Sequence, residues 1–298
     1  MKKIVFLIAV IFNYVTANAQ DFQGVAYYES KTTFDSDFGG RGREMTEEMK
    51  KRIAERMKSM FEKTYILTFN RSEATYQEEE KLETPGQGGG GPRFGGFNSS
   101  GDYYKNVKET RFTNQKEVFG KVFLIKDSLP KLEWQMGTET KKIGNYTCYK
   151  ATAIRSVDPL DFRSMRPRPP KEDEEEADKP EEKAQDTVKR RSPLDMVETP
   201  SEITVTAWYT PEIPVNMGPG EYNGLPGLIL EVSADKTTIL CSKITLNPEN
   251  KEEIKEPSKG KEVTQEEFNE ILKEKMEEMR ERFQGGNGRR DGGGRRPF

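Results

Sequence analysis

The sequence predicts an α+β protein that is mainly β: an antiparallel curved sheet or half-barrel with one packed amphipathic helix, a C-terminal helix and disordered insertions. Three observations carry this expectation. Eight segments rich in β-branched and aromatic residues are separated by glycine, asparagine or proline. No regular helix alternates with them, which disfavours a parallel βαβ sheet. Only 33% of the 298 residues are hydrophobic while 33% are charged, too lean for one core of that length, so part of the chain is expected not to pack.

The chain opens on MKKIVFLIAVIFNYVTANAQ, with Lys2 and Lys3, an apolar run from Ile4 to Phe12, and Ala17 and Ala19 in an A-x-A pattern. This reads as a signal peptide over residues 1–19, because the apolar run is shorter than the roughly 20 residues of a membrane span. The mature chain is then expected to start at Gln20, exported, with no later transmembrane span and no lipid-anchoring cysteine after the cleavage site. Loss of Lys2 and Lys3 leaves 46 basic against 51 acidic residues, a net charge near −5 that suggests no nucleic-acid partner.

The body of the protein is expected over residues 20–247. Its segments DFQGVAYYESKTTF, KTYILTFNRSEATYQEE, KEVFGKVFLIKD, KLEWQM, NYTCYKATAIRS, SEITVTAWYT, GLILEVSA and KTTILCSKITL read as strands, joined by short turns into a meander. In EITVTAWY, Ile203, Val205, Ala207 and Tyr209 alternate with Thr204 and Thr206, as in a half-buried strand. Met45, Met49, Ile53, Met57, Met60 and Phe61 form a helical stripe across residues 44–62. Two insertions interrupt the body: a glycine-dominated loop at 84–101, and a proline-rich stretch at about 158–200 whose acidic block is followed by Lys189, Arg190 and Arg191.

Residues 248–284 combine a charged linker with a second amphipathic helix bearing Phe268, Ile271, Leu272, Met276, Met279 and Phe283. Thr264 and Glu267 stand in capping-box spacing at its start, and Gly285 and Gly286 at its end. The linker leaves open whether this helix packs on the core. Residues 285–298 form a basic glycine-rich tail, expected to be disordered.

The most informative stretch is PEIPVNMGPGEYNGLPGLILEV, residues 211–232. Pro219 with Gly220, Asn223 with Gly224, and Pro226 with Gly227 are turn signals, and the last pair predicts a type II turn from Leu225 to Leu228. GLPGLI at 224–229 is the motif that names the GLPGLI family of exported bacterial proteins, which the chain resembles also in LEWQMGTETKKIGNYTCYKATA and AWYTPEIPVNMGPGEYNGLPGLILEV. The resemblance implies export and a largely unknown function, and brings no catalytic residues. A weaker likeness, in fold alone, is to the half-barrels of periplasmic lipoprotein carriers.

The sequence contains no histidine, which removes Ser-His-Asp and Cys-His catalysis and histidine-ligated zinc. The expectation is a non-enzymatic binding or accessory protein of the envelope, without cofactor or metal, that engages a protein partner or an apolar ligand. The alternative is a periplasmic carrier that encloses a lipid-like molecule. The candidate binding residues are Trp208, Tyr209, Pro214, Pro219, Tyr222, Gly224, Leu225, Pro226, Gly227 and Leu228, with a purely structural plug as the competing role. Cys148 and Cys241 are expected to pair as a disulfide, with two buried free thiols as the alternative. The methionine stripes could ligate Cu(I), but ordinary packing by flexible thioethers is the better reading. Ser128 in DSL and Thr187 in DTV resemble the acceptor of a bacterial O-glycosylation system.

Overall fold

In the computed structural model, residues 22–33, 46, 48, 51–52, 62–79, 101–157, 166–167, 197–198 and 200–285 are described. In chain order the elements are β1 (Gly24–Thr32), β2 (Glu62–Phe69), β3 (Glu73–Glu78), β4 (Asp102–Asn106), β5 (Arg111–Val118), β6 (Lys121–Ser128), β7 (Gln135–Ile143) and β8 (Tyr146–Ser156). There follow β9 (Arg166–Pro167), β10 (Val197–Glu198), β11 (Glu202–Thr210), β12 (Leu228–Ala234), β13 (Thr237–Leu246), β14 (Lys261–Val263) and the helix α1 (Gln265–Gly285).

Twelve of these strands form one open, curved sheet in the order β14-β6-β5-β4-β3-β2-β1-β13-β12-β11-β8-β7, and β9 pairs separately with β10. The mainly antiparallel expectation holds, with β14 running parallel to β6. Strands β2 to β6 form a meander that includes β4, a strand the sequence reading did not expect, and the β5–β6 hairpin where 116–127 was read as one strand; β1 joins it to β13. The segment read as a single strand over 63–79 is a hairpin. Its turn is held by Asn70, whose Oδ1 accepts from the amides of Ser72 and Glu73 at 2.8 and 2.7 Å. The strand expected at 131–136 lies later, as β7, and forms one free edge of the sheet.

One face carries the core. Successive residues of a strand point to opposite faces, and Ala26, Tyr28, Tyr65, Leu67, Phe69, Ala74, Tyr76 and Tyr103 are all buried on the same side by register. Tyr65 stacks on Tyr76 with ring centroids 4.8 Å apart, and Tyr103 on Phe112 at 5.2 Å. On the opposite face Tyr104 donates to Glu73 at 2.6 Å, while Thr113 and Arg111 donate to Glu256 at 2.6 and 2.8 Å. Those last bonds bind the chain after β13 along the back of β5.

That path leads to α1, whose first turn has the expected capping box: the Thr264 amide donates to Glu267 Oε2 at 2.8 Å, and the Glu267 amide to Thr264 Oγ1 at 3.2 Å. Phe268 then meets Phe123 of β6 edge-on at 5.6 Å, so the helix docks on the sheet through its N-terminal half despite the charged linker. Strands β8 and β11 are direct neighbours, so the 158–200 insertion springs from the end of one hairpin, with β9 and β10 paired within it. Of the helix expected at 44–62, Glu48, Lys51 and Arg52 are helical and Glu62 already belongs to β2. The rest of that helix lies outside the described residues, as do the signal peptide, the 84–101 loop apart from Gly101, most of 158–200 including Thr187, and the tail after Gly285. No helix among the described residues is long and apolar enough to cross a membrane.

Candidate functional site

The loop between β11 and β12, residues 211–227, lies across the buried face of the sheet. Alternation sends Ile213, Val215 and Met217 inward and leaves Pro214 and Asn216 exposed, and Tyr222 and Leu225 are buried further along. Amide-to-carbonyl bonds fix the path: Leu228 donates to Ile213 at 3.0 Å, Ile229 to Met217 at 2.9 Å, and Tyr222 to Pro219 at 3.2 Å. The Pro219–Gly220 turn needs a residue in the left-handed region, and Gly220 supplies it at φ 54°.

The expected type II turn at Pro226–Gly227 is not formed. Gly227 is absent from the positive-φ glycines, and the Leu228 amide that would close such a turn onto Leu225 is taken by Ile213. Glycine is required there for close approach instead: a Cβ on Gly227 would stand 2.2 Å from Thr210 O.

Three polar anchors hold the loop. Lys105 of β4 is fully buried, and its ammonium donates to the carbonyls of Gly218, Gly220 and Tyr222 at 2.7, 2.7 and 2.9 Å. Burial pushes its pKa down to about 7, against the pull of Glu221. Arg155 of β8 forms an ion pair with Glu221. Trp134 donates its indole N–H to the carbonyl of Asn223 at 2.8 Å. Between β4 and β8 the sheet order places β3, β2, β1, β13, β12 and β11, so curvature brings two distant wings onto one five-residue turn. Lys105 also sits beside Tyr103, whose buried hydroxyl has no hydrogen-bond partner and is pushed well above the usual tyrosine range by burial and by Glu221.

The ten candidate binding residues do not make one face. Trp208 and Tyr209 are adjacent in β11 and point to opposite sides: the Lys141 ammonium lies 4.3 Å over the Trp208 ring and pairs with Glu231 at 2.7 Å, while Tyr209 is buried and donates to Met136 Sδ at 3.6 Å. Pro219, Tyr222, Leu225, Gly227 and Leu228 are buried in the loop's own packing. Only Pro214, Gly224 and Pro226 are left exposed. Sequence reading missed Lys105, because a lone lysine in DYYKN carries no signal that its partners lie more than a hundred residues away.

Cys148 and Cys241 are buried free thiols, not the expected disulfide, and they stand in β8 and β13 with β11 and β12 between them in the sheet. Burial pushes Cys148 up to about 11 and Cys241 up to about 12, and Sγ of each faces a main-chain carbonyl, of Tyr146 and Lys243 respectively. Ser128 is exposed at the end of β6, with its hydroxyl directed to Asp127 at 3.2 Å. Among the described residues no group of three or more His, Cys, Asp or Glu side chains could hold a metal ion.

A family model described as a protein of unknown function (Porph_ging) matches residues 134–231, from Trp134 through β7, β8, β11 and the loop into β12. The matched name is not GLPGLI, although the span contains the GLPGLI hexapeptide, and the matched family is described as of unknown function. No curated protein matches. Among solved structures, the chain is similar to PNGF-II in its C2 and P21 crystal forms, at 13% and 12% identity and a TM-score of 0.42 in each. The alignments cover 84% of this chain but 32% and 33% of PNGF-II, so the chain spans about a third of the length of those structures.

Proposed function

We propose that this is an exported, non-catalytic accessory protein of the bacterial envelope that works through contacts on its outer surface. The observation that carries the reading is that the core face of the sheet is covered by the chain's own 211–227 loop, with Ile213, Met217 and Leu225 each no more than 1% exposed. A carrier of lipid-like cargo needs a deep apolar cavity in that place. The N-terminal sequence and the GLPGLI resemblance support export, and a chain without histidine has no imidazole catalysis. Partners then meet the exposed knuckle of the loop, Pro214, Gly224 and Pro226, together with the free edge at β7, where Met136 is 54% exposed.

Native mass spectrometry of the protein released gently from its own envelope tests this reading. The expected result is the mature mass beginning at Gln20, alone or with a protein partner. A discrete extra mass of lipid size would establish the carrier and overturn the proposal.

A further inference from the structure

We propose that the carbonyls of Gly218, Gly220 and Tyr222 form a monovalent-cation cradle, that in this chain the ammonium of Lys105 fills it, and that it takes a free potassium or ammonium ion once that side chain is removed. The geometry is that of a coordinated cation rather than an incidental hydrogen bond. A lysine ammonium has three N–H donors, and each of them finds one carbonyl within a narrow span, at 2.7, 2.7 and 2.9 Å. All three acceptors come from a five-residue turn that doubles back at Gly220, and Lys105 itself is 0% exposed, so bulk solvent does not reach the ammonium.

The donor set also selects the charge and hardness of the ion. Calcium is held by six to eight oxygens, usually with carboxylates among them, and magnesium by an octahedron that keeps several waters. Here the three acceptors are neutral, and the nearby carboxylate, Glu221, is committed to Arg155. Main-chain carbonyls gathered on one point are what replaces the hydration shell of potassium in channel filters. Tyr103, with its unpartnered buried hydroxyl, lies on the same strand face two residues from Lys105. Tethering explains why the loop keeps its shape without a dissolved ion: Lys105 brings its own ammonium on a stem anchored in β4.

The test uses the full mature chain with Lys105→Ala and Lys105→Met. Thermal unfolding is followed in potassium, ammonium, lithium and choline chlorides at equal ionic strength. The Ala variant is expected to melt well below wild type in choline and lithium and to regain about 4 °C or more in potassium and ammonium. Wild type and the Met variant, whose stem occupies the space, are expected to show no such ion preference. If the Ala variant does not fold in choline, its refolding yield in potassium against choline is the readout. Equal behaviour of the Ala variant in all four salts, in melting or in refolding yield, overturns the proposal.

Discussion

Substituting Gly227 separates two reasons for a glycine. An added Cβ would stand 2.2 Å from Thr210 O, 2.5 Å from Thr210 C and 2.9 Å from Pro211 N, where ordinary contact begins near 3.4 Å. All three atoms are main chain at the end of β11, so no rotamer change relieves the clash and the strands must part by roughly an ångström. That movement breaks the Leu228–Ile213 bond and loosens the Thr210–Leu228 pairing. With about 1 kcal/mol for the hydrogen bond lost and about 1–3 kcal/mol for overpacking, Gly227→Ala should cost about 2–4 kcal/mol. At about 2–4 °C per kcal/mol for a domain of this size, the melting temperature should fall by about 4–16 °C. Gly227→Asn should do no better, because asparagine relieves a left-handed backbone and not a steric clash. At Gly220, where the Cβ has room and φ is 54°, Ala should cost about 1 kcal/mol and Asn should recover most of it. Denaturant midpoints for the four variants decide the matter. A Gly227→Asn protein as stable as wild type would refute the close-approach argument and restore the type II turn.

Lys105 makes stability depend on pH in a stated direction. Its folded pKa, about 7, lies below its ordinary 10.5, so above pH 7 the unfolded chain binds the extra proton and stability rises with pH. The raised thiols act oppositely once pH passes their ordinary 9.0, and they are common to wild type and Lys105→Met. The denaturant midpoint of wild type should therefore rise relative to that of Lys105→Met from pH 7 to pH 9, and a constant difference would show that Lys105 does not titrate there. Cys148 and Cys241 should resist a thiol reagent in the native protein at pH 8 and react as two equivalents after denaturation, whereas none after denaturation would establish the disulfide. Thr264→Ala removes one side of the capping box and should cost about 1 kcal/mol or less. Its effect should appear as faster hydrogen exchange in α1 with β11 and β12 unchanged, and faster exchange throughout the sheet would mean that the helix is integral to the core.

The legible parts of this fold are those whose physics is local. Strands such as β11 and β13 declare themselves through β-branched residues at period two, and the Thr264–Glu267 box marks the start of α1 within four residues. Strand β4 is illegible for the opposite reason. Asp102–Asn106 places Lys105 on the buried face, where only carbonyls from residues 218–222 make its burial tolerable, and Asn114 of β5 repeats the problem beside it. Strand β7 hides because an edge strand exposed along most of its length has no apolar alternation to show. The candidate site failed on a point the sequence already contained. Trp208 and Tyr209 are consecutive residues of a strand, and period two forbids them one face.

The span matched by the family model contains the loop and two of its anchors, Trp134 and Arg155, but not Lys105, and it ends at Glu231 inside β12. Strand β12 pairs on its far side with β13, and β13 with β1, both beyond that span. The GLPGLI loop therefore has no complete setting within the matched stretch. Its third anchor and the surface it covers come from Ala74, Tyr76, Tyr103 and Lys105, on strands encoded before residue 107. A loop so dependent on a distant lysine and a distant sheet face is a closing element of the whole fold, formed when both wings of the sheet are in place. Any partner then meets that loop in one fixed shape, because the residues that could flex it are the ones tying the two wings of the sheet together.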